Sequence, residues 1–358
     1  LLDQPHQDYD IATSATPDQV QRLFSRTVAV GIKYGTVGVL DSQRVLHEVT
    51  TFRRDVLTDG RHAVVQYGAS LEEDLARRDF TINAIAYHPL RHEWRDPFHG
   101  EQDLELGLVR AVGIPAQRFQ EDFLRVLRGL RFAARFDFRI DPATWNAARD
   151  AAPGLAQLSA ERVRDEWFKG LQTAKSVNRL VTLWVEVGAA AVWLPELQTS
   201  PLGLGAIADP TGYPRDPVLL TALLSANPSA VLTRLKASNL QIARAAALEN
   251  GPPEPAGSDL VAVRRWLSTV GPAADDLTAL RRLRQGVEPP WTQTMERIRE
   301  QQDPLTRGQL AIGGTELMNL GIRGPQVGQT LGILLERVLE EPSLNTRETL
   351  LALAREMT

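Results

Sequence analysis

Gln7-Asp8-Tyr9-Asp10-Ile11-Ala12 is the stretch around which the rest of the chain reads. In an extended strand, alternate side chains share a face. Asp8 and Asp10 then put two carboxylates on one side, with Tyr9 and Ile11 on the other. Adjacent like charges repel unless a cation neutralises them, and hard oxygen ligands suit Mg²⁺. A solvated loop, or a strand entering a turn, carries the same residues, so the motif needs the company it keeps further along.

Working outward, Thr16 reads as an N-cap, Pro17 as the first helical residue and Gln19 as the far half of a capping box. Val20, Leu23 and Phe24 follow at helical spacing, which predicts a short helix to about Phe24. Residues 37–40 and 44–52 flank Asp41-Ser42-Gln43 and predict a β-hairpin. Glu48, on its second strand, is either a third metal-facing carboxylate or a solvent-facing strand residue. Residues 53–69 read as a polar loop holding a short strand at Ala63–Tyr67. Ser70 caps a short acidic helix, Leu71-Glu72-Glu73-Asp74-Leu75. Arg77-Arg78-Asp79-Phe80-Thr81-Ile82-Asn83-Ala84 comes next. Asp96-Pro97-Phe98-His99-Gly100 is a turn, and residues 107–112 form a last short strand.

From Pro115 the pattern changes. Strand signals stop, and apolar residues recur at helical spacing to the end, punctuated by proline and glycine. Residues 121–136 read as one long helix. Glu121, Arg125, Arg128, Arg131 and Arg135 lie on one side of it, with Phe123, Leu127, Leu130 and Ala134 opposite. Such a stripe is either a solvated face with i,i+4 pairs or the seat of an anion, a triphosphate or an RNA backbone.

Composition narrows the class. At 358 residues the chain exceeds what one core holds, so two or more domains are expected. Its 43% hydrophobic and 23% charged content is that of a globular protein. No apolar run approaches the roughly 18 residues that span a bilayer, and Leu1-Leu2-Asp3-Gln4-Pro5-His6 lacks the form of a signal peptide. The absence of cysteine excludes disulfides and thiolate zinc sites and fits a reducing cytoplasm. A net charge of −4 argues against a general nucleic-acid coat and leaves room for a local basic patch. Lysine is scarce, so phosphate contacts would fall mostly to arginine forks.

Taken in order, Asp8-x-Asp10, the Arg77 to Ala84 octapeptide, Asp96-Pro97-Phe98 and Glu121-Asp122-x-x-Arg125-x-x-Arg128 resemble the class II tRNA nucleotidyltransferases. These are the CCA-adding enzymes and the closely related bacterial poly(A) polymerases. Ser159-Ala160-Glu161-Arg162, Leu194-Pro195-Glu196-Leu197, Gly314-Thr315-Glu316-Leu317 and Gly321-Ile322-Arg323-Gly324-Pro325 extend the likeness. The resemblance implies an α+β fold: a polymerase-β-like nucleotidyltransferase head (1–114), then an all-helical neck (115–175), body (176–257) and tail (258–358). It implies that Asp8 and Asp10 hold Mg²⁺ and that Arg78, Asp79 and Asn83 handle the sugar and phosphates of the incoming nucleotide. Asp122 and Arg125 match residues that hydrogen-bond the base edge, and Arg128 and Arg131 match further nucleotide-binding arginines. The implied partners are tRNA, CTP and ATP, with no membrane and no protein partner. Arg162, Arg164, Lys169, Arg234, Lys236, Arg244, Arg264 and Arg265 are basic candidates for tRNA contact along the helices. The Gly324-Pro325 turn opens a helix whose free N–H groups are either a phosphate seat or a plain helix start.

Three departures stand out. The family's Gly-Gly-x-Val-Arg-Asp stretch is expected just before Leu1, which leaves a tRNA-binding module without chemistry as a rival reading. His99 stands where the family has Gly, at a turn position suited to positive φ. Residues 53–69 are short for the loop of full CCA enzymes, which keeps CC-only and A-only addition open beside CCA and poly(A) addition.

Overall fold

The structure, a computed structural model, describes residues 9–58, 63–198 and 215–357. Asp8 therefore lies outside the described residues. The chain divides into two compact units: Leu1–Pro217 with Arg234–Ala237, and Val218–Thr233 with Ser238–Thr358.

The first unit opens with a four-stranded sheet. β1 (Ile11–Thr13) leads into α1 (Pro17–Leu23), then β2 (Thr27–Gly31), β3 (Thr36–Leu40) and β4 (Leu46–Thr51), in spatial order β1-β4-β3-β2. The capping box forms as read: Gln19 N donates to Thr16 Oγ1 at 3.4 Å and Thr16 N donates to Gln19 Oε1 at 2.8 Å. Val20 of α1 packs on Val37, Val39 and Val49 of the sheet, all nearly free of solvent. Each such side chain withdrawn from water stabilises the fold by about 1.5–3 kcal/mol. The β3–β4 hairpin is present. Its turn is wider than three residues, because Asp41 Oδ1 accepts from the N–H groups of Gln43 and Val45.

Several elements differ from the sequence reading, among them the unread strand β2. Residues read as loop form β5 (Arg53–Thr58), which pairs antiparallel with β6 (Ala63–Tyr67) as a separate ribbon. A two-stranded ribbon needs no alternating apolar face, so its first strand carries no periodic signal. Strand structure also persists past Pro115. After α2 (Leu71–Ala76), the hairpin β7 (Ala86–His88) and β8 (Glu93–Arg95), and α3 (Gly100–Glu105), the short β9 (Leu108–Val109) pairs in parallel with β10 (Arg139–Ile140).

Between them lie α4 (Pro115–Glu121) and α5 (Leu124–Phe136), which correct the single helix expected over 121–136. The break falls at Asp122, whose backbone is extended (φ −157°). Its side chain accepts from Leu124 N at 3.0 Å, in the manner of a cap. Phe123 then lies on Gly154, where an added Cβ would come within 2.2 Å of the ring. The unit continues with α6 (Pro142–Ala151), α7 (Ala160–Thr173), α8 (Val177–Val187) and α9 (Ala189–Trp193). Trp167 and Trp184 meet edge to face at 5.1 Å in the core between α7 and α8.

The second unit is helical: α10 (Pro217–Leu224), α11 (Pro228–Arg234), α12 (Asn239–Glu249), α13 (Leu260–Val270), α14 (Ala274–Gln285), α15 (Thr292–Glu300), α16 (Gly314–Asn319), α17 (Pro325–Glu340) and α18 (Arg347–Glu356). Leu317, Leu334, Val338 and Leu350 form one of its cores. Among the described residues, no helix is long and apolar enough to cross a membrane.

Candidate active site

The site grows from the turn after α2. Asp79 is almost fully buried, and its N-terminal neighbours are held by a second buried carboxylate. Asp74 Oδ1 accepts from Arg77 Nε at 2.9 Å and from Arg53 N at 3.2 Å, and Asp74 Oδ2 accepts from Arg78 Nη2 at 3.4 Å. Phe80 is wholly enclosed. It lies against Gly129 of α5, where a Cβ would sit 2.9 Å from the ring tip, and meets Phe132 edge to face. A glycine at 129 is thus what lets this turn approach α5.

That approach brings Asp79 to Arg128, Oδ2 to Nε at 2.6 Å. Asp79 Oδ1 accepts from Asn83 Nδ2 at 3.0 Å and from Phe80 N at 2.9 Å. Burial pushes the Asp79 carboxyl up, but the Arg128 charge and the three hydrogen bonds outweigh it and hold it below the usual carboxylate range. Burial likewise weighs against the Arg128 cation, and Asp79 more than compensates. Behind the turn, Thr81 Oγ1 donates to Asp103 at 2.6 Å. Arg110 bridges Asp103 and Asp141 at 3.1 and 2.8 Å. Gly100, capped by Asp96 Oδ1 at 2.7 Å, packs where a Cβ would strike the Thr81 carbonyl at 2.2 Å. His99 beside it has φ +59°, the left-handed conformation for which the turn reading favours glycine.

A few residues along α5, Arg125 donates to Glu121 at 2.6 Å, to the Arg118 carbonyl at 3.1 Å and to the Arg77 carbonyl at 3.0 Å. Three of its five donor hydrogens are so engaged, and the others remain. Asp122 lies before the helix rather than on it. Its Oδ2 accepts from Arg162 Nη2 of α7 at 2.7 Å. Three arginines of the stripe, Arg125, Arg128 and Arg131, are therefore matched by Glu121, Asp79 and Glu166. Arg131 does not face the cluster. It is buried and paired with the equally buried Glu166 at 2.6 Å, which fastens α5 to α7. Its guanidinium is committed to Glu166, the setting from which the expected nucleotide contact would be made.

The carboxylates considered for a metal lie toward the edge of the first sheet. β1 runs parallel to β4 with Ile11 opposite Val49, so Asp10 and Glu48 come level one residue earlier. Both are exposed. Two neighbouring carboxylates with no nitrogen or sulfur donor make a set suited to a hard divalent cation. Among the described residues no group of three metal-ligating side chains occurs.

Most basic candidates along the helices are ion-paired. Arg164 engages Asp165 and the Lys236 carbonyl, Lys236 engages Glu161, and Arg234 grips Glu196. Arg244 pairs with Asp276, and Arg265 with Glu336 and Glu340. Arg264 is a correction: it is buried against Asp303 at 2.6 Å and is no surface contact. Sequence reasoning missed Asp74, Asp103 and Glu166. The polar run before Arg77 held a signal for the first, while the other two show themselves by tertiary partners alone.

The family model of the poly(A) polymerase head domain matches residues 1–110, and that of a probable RNA and SrmB-binding site of polymerase A matches residues 137–200. A CCA-adding enzyme of Streptococcus sanguinis (strain SK36) is 44% identical over 214 residues, 58% of this chain and 52% of that protein. One from Streptococcus suis (strain 05ZYH33) is 46% identical over 197 residues, 51% of this chain and 48% of that protein. The chain thus spans about half the length of the curated relatives it matches. The crystal structure of the Bacillus stearothermophilus CCA-adding enzyme in complex with CTP is 32% identical, with a TM-score of 0.86 over 99% of this chain and 90% of that one. The Thermotoga maritima CCA-adding enzyme complexed with tRNA shares the fold at 19% identity, with a TM-score of 0.59 over 95% of this chain and 83% of that one.

Proposed function

We propose, from the premise that this chain belongs to the family of CCA-adding enzymes, that it adds C and A nucleotides to the 3′ end of tRNA from CTP and ATP without a template. The observation that carries the reading is the cluster in which buried Asp79 holds the half-buried Arg128 and Asn83, set within a few residues of Asp122 and Arg125. It is a fixed polar platform rather than a surface charge patch. The tRNA 3′-hydroxyl oxygen forms a bond to the α-phosphorus, the bridge to the β-phosphate breaks, and pyrophosphate leaves.

Asp8 and Asp10, with Glu48 level with Asp10, would hold the divalent cation; Mg²⁺ suits their all-oxygen set. Divalent metal held there would supply Lewis acidity toward the 3′-hydroxyl and countercharge for the leaving pyrophosphate, in the manner of a two-metal site. Arg78, held from behind by Asp74, offers its guanidinium to the phosphates. Asp79, kept ionised, fixes Arg128 and orients Asn83, and the Asn83 amide oxygen accepts from a ribose hydroxyl. Arg131, paired with Glu166, supports α5 from behind the site.

Base choice falls to Asp122, an acceptor, and Arg125, a donor. Cytosine and adenine both present an amine beside a ring nitrogen acceptor, whereas uracil and guanine reverse the pattern. The mismatch leaves buried polar groups unpaired, at about 1–3 kcal/mol each. Localisation in the cytoplasm accords with a tRNA substrate and a chain without cysteine.

The test is stepwise extension. tRNA transcripts ending at the discriminator base, at C and at CC are incubated with CTP and ATP separately. The expected products are C on the first two and A on the third. The name of the matching head-domain model favours one second reading, a poly(A) polymerase, for which repeated ATP addition without CTP use would be the signature. Binding of tRNA with no extension at all would overturn both in favour of a binding module.

A further inference from the structure

The hairpin of β7 and β8 has an outward aromatic face that the nucleotide site does not use. Tyr87 and Trp94 are cross-strand partners with ring centroids 4.6 Å apart, and both are about half exposed (44% and 52%). The Tyr87 hydroxyl is held by His92 Nδ1 at 2.7 Å, which fixes the ring. Leu90 at the tip is 88% exposed. Arg91 stands at the tip beside Leu90, and Arg95 on the second strand is taken up by Glu93 at 3.3 Å. Arg91 makes no ion pair among the described residues. Glu93 is the one carboxylate between Ala86 and Arg95.

Flat aromatics flanked by arginine are what single-stranded nucleic acid stacks on, because every base has a π-face and every nucleotide a phosphate. An exposed aromatic pair also stabilises a short hairpin by itself. Two observations go beyond that. Stability of a three-residue strand pair does not call for an unpaired arginine at the turn. And the hairpin leaves the candidate site directly: Tyr87 is four residues from Asn83, so their Cα atoms are at most about 14 Å apart. A strand whose 3′ end lies at the Asp79–Asn83 cluster has its next few nucleotides within reach of this face.

We infer that the Tyr87–Trp94 face with Arg91 is a stacking and phosphate-binding surface for the single-stranded nucleotides next to the RNA 3′ end. The inference rests on the tRNA reading above. A protein partner is the competing occupant, and its cost would appear as no change in RNA binding.

The experiment compares Trp94→Ala, Trp94→Phe and Arg91→Ala in the full chain. Binding at fixed salt is measured by fluorescence anisotropy for two probes: a tRNA transcript ending in single-stranded CC, and a minihelix of the same stem with a blunt end. Trp94→Ala and Arg91→Ala should each weaken the single-stranded end by about five- to thirtyfold. Blunt-end binding should stay within about twofold, and Trp94→Phe should restore most of the stacking. Arg91 donates no side-chain bond to the hairpin, so its variant folds even where Trp94→Ala does not. Equal weakening of both probes, or unchanged affinity for the single-stranded end in Arg91→Ala and Trp94→Ala, overturns the inference. The wild-type chain in the same assay separates the two levels. Failure of wild type to bind either RNA sinks the tRNA reading, whereas tight wild-type binding with unaffected variants sinks the hairpin surface alone.

Discussion

Glu166→Gln is the perturbation with the most to say about how α5 is held. Glu166 and Arg131 are each more than nine-tenths buried and meet at 2.6 Å, so the substitution leaves a buried guanidinium without its counter-charge. Breaking such a pair from one side costs about 3–5 kcal/mol. Glutamine keeps a neutral acceptor at the same reach, which returns part of a hydrogen bond of about 1 kcal/mol. The expected loss is therefore about 2–4 kcal/mol. Trp167 follows Glu166 and packs on Trp184, so urea unfolding followed by tryptophan fluorescence reports on this core. The double variant Arg131→Met/Glu166→Leu removes both charges and fills the space with carbon. It should recover to within about 1 kcal/mol of wild type and leave the KM for CTP within about twofold. A Glu166→Gln loss below about 0.5 kcal/mol would refute the coupling. A stable double variant whose KM rises tenfold or more would return Arg131 to the nucleotide.

Three further outcomes are expected. Gly129→Ala puts a methyl group 2.9 Å from Phe80 and should cost about 1–3 kcal/mol in thermal unfolding, with kcat falling more than tRNA affinity as the Asp79–Arg128 contact shifts. His99→Gly relieves a left-handed residue at φ +59° worth about 1–2 kcal/mol and gives back about 0.5–1 kcal/mol of chain entropy, so stability should hold or rise by up to about 1 kcal/mol; a clear loss would show that the imidazole has a role in the turn. Asp79 has a depressed carboxyl, so its contribution is complete above the unfolded value of about 4 and disappears as pH falls from there through its lower folded value. Asp79→Asn should accordingly flatten stability against pH below about 4 and leave the slope between about 6 and 8 unchanged.

Local chemistry was legible in the sequence. The Thr16–Gln19 and Ser70–Glu73 capping boxes form as their spacing requires, because both partners lie within one turn. The predominance of helix after Pro115 also follows the pattern, though the single helix read over 121–136 is two. What was not legible depends on residues far apart in the chain. Glu166 is 35 residues from Arg131, and Arg162 is 40 from Asp122, so nothing local announces these two pairings, unlike the i,i+4 pair of Arg125 with Glu121. The helix break at Asp122 follows from Phe123 seeking Gly154, a contact no periodicity contains. Thr27–Gly31 is a short strand between polar residues and a glycine, and Arg53–Thr58 follows the preceding strand after one residue and lacks an alternating apolar face.

The central claim is that side chains of this chain select the base. The direct measurement is kcat/KM for CTP, ATP, UTP and GTP on a tRNA ending in a single C, for the wild-type chain and for Asp122→Ala. Wild type should use CTP and reject UTP by about a hundredfold, one or two unpaired polar contacts. Asp122→Ala should bring UTP to within about tenfold of CTP while the best rate falls less than that ratio changes. An Asp122→Ala protein that rejects UTP and GTP as wild type does would contradict the account, leaving Asp122 as the cap of α5 and the partner of Arg162 alone.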